Sequence, residues 1–283
     1  TQFSKLISNL KYIVIDEVHV YTGTFGSNVF FILKRLERLC GKFQIIVSSA
    51  TIGNPNQFCE ELLDRKINVI KCKEGKHGAI HFVMIYPSLR SHHSLKQDIL
   101  KQVTTSGRKT IAFSNSHLSA ELTAFYGKRN GISIAVHRAG LLTNYRQKIE
   151  EKFRNGNLKA ISATPTLELG IDIGKVDTII SDLVSWTRLI QRTGRAGRRG
   201  QDSMVFVSLR KDDPISQYYK NNPEDYFKDV EPGYMDPYNP LIAKFQLLAA
   251  SIDKPIQKNE FTNYRSILDE LIKQGLLRQE NNE

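Results

Sequence analysis

Cysteine is scarce in this sequence of 283 residues. Its only cysteines, Cys40, Cys59 and Cys72, form no C-x-x-C pair, and their number is odd. This pattern excludes a disulfide framework and a four-cysteine zinc site within the sequence. It indicates a reducing, intracellular compartment, which we expect to be cytoplasmic, nuclear or nucleoid-associated.

Long hydrophobic runs are also missing. No apolar run reaches the roughly 20 residues of a membrane-spanning helix, and residues 1–5 lack the layout of a signal peptide. We therefore expect a soluble protein with no membrane partner. Because the sequence starts with Thr1 rather than Met and reaches a strand pattern by Tyr12, we also expect it to be cut from a longer protein.

Acidic side chains are outnumbered, with 29 Asp and Glu against 40 Lys and Arg. Residues 1–215 carry 32 basic and 18 acidic side chains, whereas residues 216–283 carry 8 and 11. A basic body favours a phosphate-bearing partner, because it lowers the free energy of a nearby polyanion. A generally soluble surface explains the same balance about equally well. The 40% of hydrophobic residues can fill about two domain cores, which excludes disorder as the main state.

Short apolar runs alternate with amphipathic helical patterns, which predicts an α/β fold with doubly wound parallel sheets. Near the start, the expected strands lie at residues 12–15, 45–47 and 69–72, and the expected helices at residues 27–39 and 57–63. Ser27 and Asn28 are expected to cap the first helix, because their side-chain oxygens can accept hydrogen bonds from backbone N–H groups.

A second α/β series follows a linker expected at residues 75–78. Its strands are expected at residues 80–86, 110–114, 132–136, 160–163, 178–181 and 204–208, and its helices at residues 95–104, 120–130, 144–153 and 189–195. Ligands of parallel sheets bind at the carboxyl ends of the strands, so functional residues are expected there.

The composition changes beyond residue 213, where five prolines punctuate an irregular stretch. Two amphipathic helices are then expected at residues 241–252 and 261–274. Gly275 and the residues after it fit the start of a winged-helix module, and a plain helical linker fits them about as well.

Asp16 and Glu17 are adjacent carboxylates at the end of the first expected strand, and His19 follows them. Like charges in a crevice repel each other unless a cation or a bound water shares them. Nucleotide hydrolysis uses such a pair, with one carboxylate for Mg²⁺ and one to orient or deprotonate the attacking water. His19 would relay polar contacts to a neighbouring element. For an isolated pair, two solvated acids at a strand end are the simpler explanation.

Residues 186–200 contain five arginines and no acidic residue. A helix in the first part of this segment would place Arg195 and Arg198 on one face, where two guanidinium groups can bind one triphosphate. Arginines supplied across a domain interface stabilise charge on a transferring γ-phosphoryl group. A solvated basic helix or an RNA-binding patch has the same composition, but interior glycines each cost such a helix roughly 1 kcal/mol relative to alanine.

The loop after the expected strand at residues 160–163 is rich in small and polar residues. Thr164 at its start suits a contact with nucleic-acid phosphates, and Gly170 and Asp172 suit a contact with the ribose of a nucleotide. Taken alone, Asp172 is more simply explained as a turn or cap residue.

In order and spacing, these segments resemble the motifs of the superfamily-two DExH-box helicases. The matching segments are DEVH at residues 16–19, SAT at 49–51, AFSNS at 112–116, HRAGL at 137–141, motif V at 163–174 and motif VI at 191–200. The wider text around residues 21–28 and 49–55 most resembles the MrfA-like repair helicases. Fungal relatives of the human RecQ-like helicase four belong to this branch.

The resemblance implies RecA-like parallel sheets in three parts. Residues 1–75 would be the C-terminal part of a first RecA-like domain, and residues 76–213 would be a complete second one. Residues 214–283 would be a linker and the start of a helical or winged-helix accessory module.

The resemblance also implies residue roles. Asp16 would coordinate Mg²⁺ through water, Glu17 would act on the hydrolytic water, and His19 belongs to the same motif. Ser49 and Thr51 would couple the ATP site to the strand-binding face, and Gln191 would link the arginine segment to the DEVH motif. Arg195 and Arg198 would contact the γ-phosphate, and Gly170 and Asp172 would contact the nucleotide. The residues implied to contact the DNA backbone are Asn115, Arg138 and Thr164.

One part of the family pattern is absent. The sequence has no G-x-x-x-x-G-K-[ST] loop, whose lysine and amides hold the β- and γ-phosphates. We therefore expect the whole helicase to carry that loop upstream and this chain alone to hydrolyse little or no ATP.

The expected activity of the whole protein is that of a 3′-to-5′ DNA repair helicase. Its expected cofactors are ATP and Mg²⁺, and its expected partner is single-stranded or partly duplex DNA. An Lhr-like, CRISPR-associated or RNA helicase and a non-catalytic nucleic-acid-binding module are the alternatives.

Overall fold

The computed structural model describes residues 7–49, 52–70, 78–168, 173–197, 201–228 and 230–279. The chain forms two units, one from residues 1–71 with 232–283 and the other from residues 72–231. Each unit has its own hydrophobic core. Within the described ranges, no helix combines the length and the hydropathy needed to cross a membrane.

The first unit contains a parallel pair of strands, β1 (Tyr12–Ile15) and β2 (Gln44–Val47), joined by helix α1 (Gly23–Cys40). Helix α2 (Pro55–Leu63) follows β2. In the strand register Ile15 is opposite Val47, so the residues that follow the two strands emerge side by side. The expected strand at residues 69–72 is absent at Val69 and Ile70, and its other two residues lie outside the described ranges.

Helix α1 begins at Gly23, four residues before the predicted cap. Its N-cap residue is Thr22, which has an extended backbone. The Ser27 hydroxyl donates to the carbonyl of Gly23 at 3.0 Å, and the Asn28 amide donates to the carbonyl of Thr24 at 2.8 Å. Both side chains are bonded inside the first turns, so the prediction that they cap the helix is wrong.

The second unit is built on a six-stranded parallel sheet in the order β3-β8-β7-β4-β6-β5. Its strands are β3 (Ile80–Ile85), β4 (Thr110–Phe113), β5 (Ile134–His137), β6 (Ala160–Ala163), β7 (Thr178–Asp182) and β8 (Ser203–Ser208). Its helices are α3 (His92–Thr105), α4 (His117–Arg129), α5 (Thr143–Arg154), α6 (Trp186–Thr193) and α7 (Pro214–Asn221). The α/β fold with a parallel sheet is confirmed.

The central strands β4, β6 and β7 are buried at every residue, which is typical of parallel strands covered on both faces. Strands β7, β4, β6 and β5 are neighbours in that order. Their carboxyl ends therefore form one continuous edge of the sheet, where the residues after each strand come together.

From residue 232 onward, the described part of the chain returns to the first unit. It forms helix α8 (Pro240–Asp253), a 3-10 turn at Thr262–Tyr264 and helix α9 (Arg265–Lys273). Buried residues of α8 and α9, including Leu247 and Leu271, join the same core cluster as Phe31 of α1.

Candidate functional site

Asp16 and Glu17 follow β1, where the backbone turns sharply. Glu17 has a left-handed backbone, with φ 52° and ψ 49°, a conformation that costs free energy for a residue with a side chain. Its N–H donates to Asp16 Oδ1 at 2.9 Å, and the Ser48 hydroxyl donates to the same oxygen. Two donors thus fix one oxygen of the Asp16 carboxylate at the carboxyl edge of the β1–β2 pair.

His19 connects the ends of the two strands. Its Nδ1 lies 3.3 Å from Ser49 Oγ and 3.5 Å from Glu17 Oε2. Burial lowers the pKa of His19, although the nearby carboxylates of Glu17 and Asp16 oppose this effect. The imidazole is therefore neutral at neutral pH, and the four predicted residues Asp16, Glu17, His19 and Ser49 lie at one edge.

Ser48 was not among the predicted site residues, although the sequence contains a signal for it. Once Ile15 is paired with Val47, the next residues along the two strands, Asp16 and Ser48, come opposite each other. A hydroxyl directly across from a functional carboxylate is a natural donor to it.

The carboxylate pair fits a magnesium ion. Among the described residues, no group of three or more His, Cys, Asp or Glu side chains converges as a metal site. Mg²⁺ in phosphate sites usually needs only one or two carboxylates, because waters and phosphate oxygens supply its remaining ligands. Asp16 is exposed and Glu17 is half-buried, so both are accessible to a hydrated ion.

The predicted nucleic-acid contacts follow three neighbouring strands of the second unit. Asn115 comes after β4, Arg138 after β5 and Thr164 after β6. Their accessibility differs, since Asn115 is exposed, Arg138 is half-buried and Thr164 is buried. Arg138 Nε donates to Glu121 Oε1 at 2.7 Å, and the N–H of Thr164 donates to the carbonyl of His137 at 3.1 Å.

Arg192 is fully buried at the same edge. Its Nε donates to Glu168 Oε1 at 2.7 Å, its Nη1 to Ser181 Oγ at 2.7 Å and its Nη2 to Asn115 Oδ1 at 3.2 Å. Its guanidinium carbon lies 5.0 Å from the centre of the Phe113 ring. Burial lowers the pKa of Arg192, and the Glu168 carboxylate acts against that effect.

Glu168 binds three of the arginines in residues 186–200. Its Oε1 accepts from Arg192, and its Oε2 accepts from Arg188 Nε at 3.0 Å. Its backbone carbonyl accepts from Arg195 Nη2 at 2.7 Å. Glu168 and Arg192 were not among the predicted site residues. A signal was present, because five arginines with no acidic residue in their own segment need a carboxylate from elsewhere in the chain to balance their charge.

The helix of the arginine segment is shorter than predicted. Helix α6 ends at Thr193, Gly194 is its C-cap residue and Gly197 has a φ of 67°, which favours glycine. Arg195 therefore lies beyond the helix, so the prediction that it shares a helical face with Arg198 is wrong.

The other five predicted site residues are one residue of α6 and four that the structure does not describe. Gln191 lies in α6 and is half-buried. Thr51, Gly170, Asp172 and Arg198 lie outside the described residues.

Two family profiles match successive parts of the chain. The profile described as DEAD/DEAH box helicase matches residues 1–58, which contain the carboxylate pair. The profile described as Helicase conserved C-terminal domain matches residues 95–200, which contain the arginine and glutamate cluster. The α/β fold and the two profile matches together place the chain among the helicases.

Individual relatives indicate which group of helicases this chain resembles. The chain is 31% identical to the uncharacterized ATP-dependent helicase YprA of Bacillus subtilis, over 92% of this chain and 37% of YprA. It is 32% identical to the ATP-dependent helicase HRQ1 of Saccharomyces cerevisiae, over 88% of this chain and 26% of HRQ1. The crystal structure of the DUF1998 helicase MrfA bound to DNA and AMPPNP matches with a TM-score of 0.90 and 30% identity, over 99% of this chain and 42% of that chain.

The chain belongs to the superfamily-two helicases, in the branch of MrfA and HRQ1. It spans about a third of the length of the curated relatives that it matches.

Proposed function

We propose that this chain is part of an ATP-dependent DNA helicase and carries two elements of its ATP site, the water-activating carboxylates and the arginine segment. The observation that carries the proposal is the match to MrfA bound to DNA and AMPPNP, which extends over 99% of this chain. Relatives that are themselves named ATP-dependent helicases support the same activity.

In the first unit, Glu17 would orient and deprotonate the attacking water, and Asp16 would hold Mg²⁺. When bound, the ion would supply charge neutralisation at the phosphate oxygens. Ser48 holds Asp16, and neutral His19 links Glu17 to Ser49. We propose that Ser49, together with Thr51, passes the state of the ATP site to the strand-binding residues.

In the second unit, Arg195 and Arg198 stabilise negative charge on the transferring phosphoryl group. Arg195 is held at the Glu168 carbonyl, and a donor fixed in advance needs little reorganisation during the reaction. We assign nucleotide contact to Gly170 and Asp172. We also assign Gln191 a part in ATP hydrolysis, in keeping with the family resemblance.

Asn115, Arg138 and Thr164 contact the DNA backbone in this proposal, because they share one sheet edge. We favour DNA over RNA because the matched MrfA structure is bound to DNA. The 3′-to-5′ polarity and the role in DNA repair are supported by the resemblance to MrfA-like repair helicases alone.

Steady-state ATP hydrolysis by the full-length helicase, with and without single-stranded DNA, tests the assignment of Glu17. Removal of a general base typically costs about 10²–10⁴-fold, so Glu17→Gln should lower kcat by that factor and leave nucleotide binding intact. Glu61→Gln, on the exposed face of α2, is the matched control and should change neither quantity. Retained turnover in Glu17→Gln would remove Glu17 from its role.

Binding and unwinding assays test the choice of nucleic acid. We expect the isolated chain to bind single-stranded DNA with an affinity that falls steeply with salt, because counterions are released from the phosphates. Without a P-loop of its own, it should hydrolyse almost no ATP. In the full-length helicase, unwinding should require a 3′ overhang, and preferential displacement of bound DNA by RNA would favour the RNA alternative.

A further inference from the structure

Lys96 is a buried charged residue to which the proposed function assigns no part. It lies on α3, and its side chain has no exposed surface. Its Nζ donates to the Phe113 carbonyl at 2.8 Å, to Ser114 Oγ at 2.9 Å and to Asp182 Oδ1 at 2.8 Å. An ammonium group has three N–H donors, so all three are used.

Asp182 completes a buried ion pair. It ends β7, and its side chain is 11% exposed. Burial by itself would raise the pKa of Asp182, but Lys96, together with His92 and the N–H of Asn115, holds the pKa below its ordinary value. While Oδ1 accepts from Lys96, Oδ2 accepts from the backbone N–H of Asn115 at 3.1 Å. The pair thus fixes Asn115, the second residue of the loop that leaves the neighbouring strand β4.

The loop fixed by this pair continues into the arginine cluster. Asn115 Oδ1 accepts from Arg192, Arg192 donates to Glu168, and the Glu168 carbonyl accepts from Arg195. A continuous path of hydrogen bonds and covalent links therefore runs from Lys96 to Arg195. It passes through Asn115, to which we assigned a DNA contact, and ends at an arginine to which we assigned a phosphate contact.

Stability alone does not explain why this position holds an ion pair. Two well-packed apolar residues in place of a buried pair are often neutral or stabilising, whereas removal of one partner is strongly destabilising. Apolar side chains could fill the space of Lys96 and Asp182, but neither could accept a hydrogen bond from the N–H of Asn115.

We propose that Lys96 and Asp182 are positioning residues that fix Asn115, and through it Arg192, so that contact with the nucleic-acid strand is coupled to ATP hydrolysis. The inference rests on the proposed function for the identity of its two ligands, nucleic acid and ATP. The claim that Lys96 and Asp182 position Asn115 rests on the hydrogen bonds alone.

The double variant Lys96→Met/Asp182→Leu tests this role, because it removes both charges and keeps the length and branching of the side chains. Its unfolding midpoint in urea should stay close to that of the wild type. Exchange of the Asn115 backbone N–H should become at least about tenfold faster, because that hydrogen bond is lost. Lys101→Met, at an exposed position of the same helix, is the matched control and should change none of these quantities.

The same double variant in the full-length helicase separates positioning from support of the fold. DNA-stimulated kcat should fall by about 10–100-fold, as expected for misplaced groups, while KM for ATP stays within about threefold. A stable double variant with wild-type Asn115 exchange and wild-type stimulated turnover would overturn the proposal, because the pair would then only fill the core.

Asp182→Asn provides a second variant in case the double variant does not fold. Its amide oxygen can still accept from Lys96, but its amide nitrogen cannot accept from Asn115, so Asn115 exchange should again accelerate. Unchanged exchange would refute the positioning role. If the wild-type helicase neither bound DNA nor hydrolysed ATP, the proposed function would fail, and Asn115 exchange would still decide the positional claim.

Discussion

Glu168 shows how much one acidic residue can organise in a basic segment. It contacts Arg188 and Arg192 through its carboxylate and Arg195 through its carbonyl. Arg192 is fully buried, and a buried charge without a partner costs several kcal/mol. The carboxylate therefore makes it possible for guanidinium groups of like charge to lie close together.

Loss of this charge should destabilise the chain. We expect Glu168→Gln to lower the free energy of unfolding by about 3 kcal/mol, because it leaves a buried guanidinium without a counter-charge. Urea denaturation of the chain measures the change. Glu151→Gln, at an exposed position of α5, should stay within about 0.5 kcal/mol of the wild type. An equally small loss in Glu168→Gln would contradict the charge-balancing role.

Buried histidines should make stability depend on pH. Burial lowers the pKa of His19, His92 and His137 from the ordinary value of 6.5. Between the lowered value and 6.5, the unfolded chain binds more protons than the folded chain. Stability should therefore be retained above pH 6.5 and lost progressively as the pH falls below it.

His137 allows a direct test of this dependence. It is fully buried between Glu150 Oε1 at 2.9 Å and Thr166 Oγ1 at 2.8 Å. In His137→Gln, the loss of stability between about pH 7.5 and 5.5 should be smaller than in the wild type, because one titrating group is removed. His117→Gln, at an exposed position, should lose as much stability between the two pH values as the wild type does. Urea denaturation at each pH measures the free energy of unfolding. An equal loss of stability between the two pH values in both variants would exclude His137 as a source of the pH dependence.

At the scale of elements, the strands of the second unit were predicted well because their signal is local. Short apolar runs bounded by turn residues mark β4 and β6, and both are buried throughout. The start of α1 was predicted four residues too late, since Gly23 and Gly26 in its first turns are poor helix formers and do not signal a helix. A Cβ on Gly26 would lie 1.9 Å from the carbonyl oxygen of Tyr21, so the close approach itself requires glycine there.

The candidate site residues also differ in how local their sequence signals are. Asp16, Glu17 and Asn115 could be predicted as candidates from the sequence because they stand directly after strands and inside recognisable motifs. Lys96 and Glu168 were missed because their importance depends on partners far along the chain, 86 residues away for Lys96 and Asp182. A sequence shows the charge of a lysine but not that its ammonium group is buried between two strands.

At the scale of the whole molecule, the last part of the chain completes the first unit. Arg35 Nε donates to Asp253 at 2.6 Å, and Arg38 donates to the carbonyls of Ala250 and Lys254 at 2.8 Å. Buried residues of α8 and α9 share one core with α1. We therefore propose that the chain folds as two units, with boundaries at residues 71 and 231.

Truncation tests this division. A chain that ends at residue 231 should lose the cooperative unfolding of its first unit, because the apolar face of α1 would be exposed to water. A chain of residues 72–231 should keep a cooperative urea transition, since it contains both core clusters of the second unit. Amide exchange of Phe31 and Ile111 reports on the two units separately, and a protected Phe31 amide in the chain that ends at residue 231 would refute the prediction.

The discontinuous first unit also has a consequence for biosynthesis. A ribosome makes residues 1–71 first but cannot supply residues 232–283, which share the same core, until the whole second unit has been translated. At about 5–20 residues per second, this interval lasts roughly 10–30 s. During that time the apolar face of α1 lacks its final partners, so the nascent chain should depend on a chaperone for longer than its length alone would suggest.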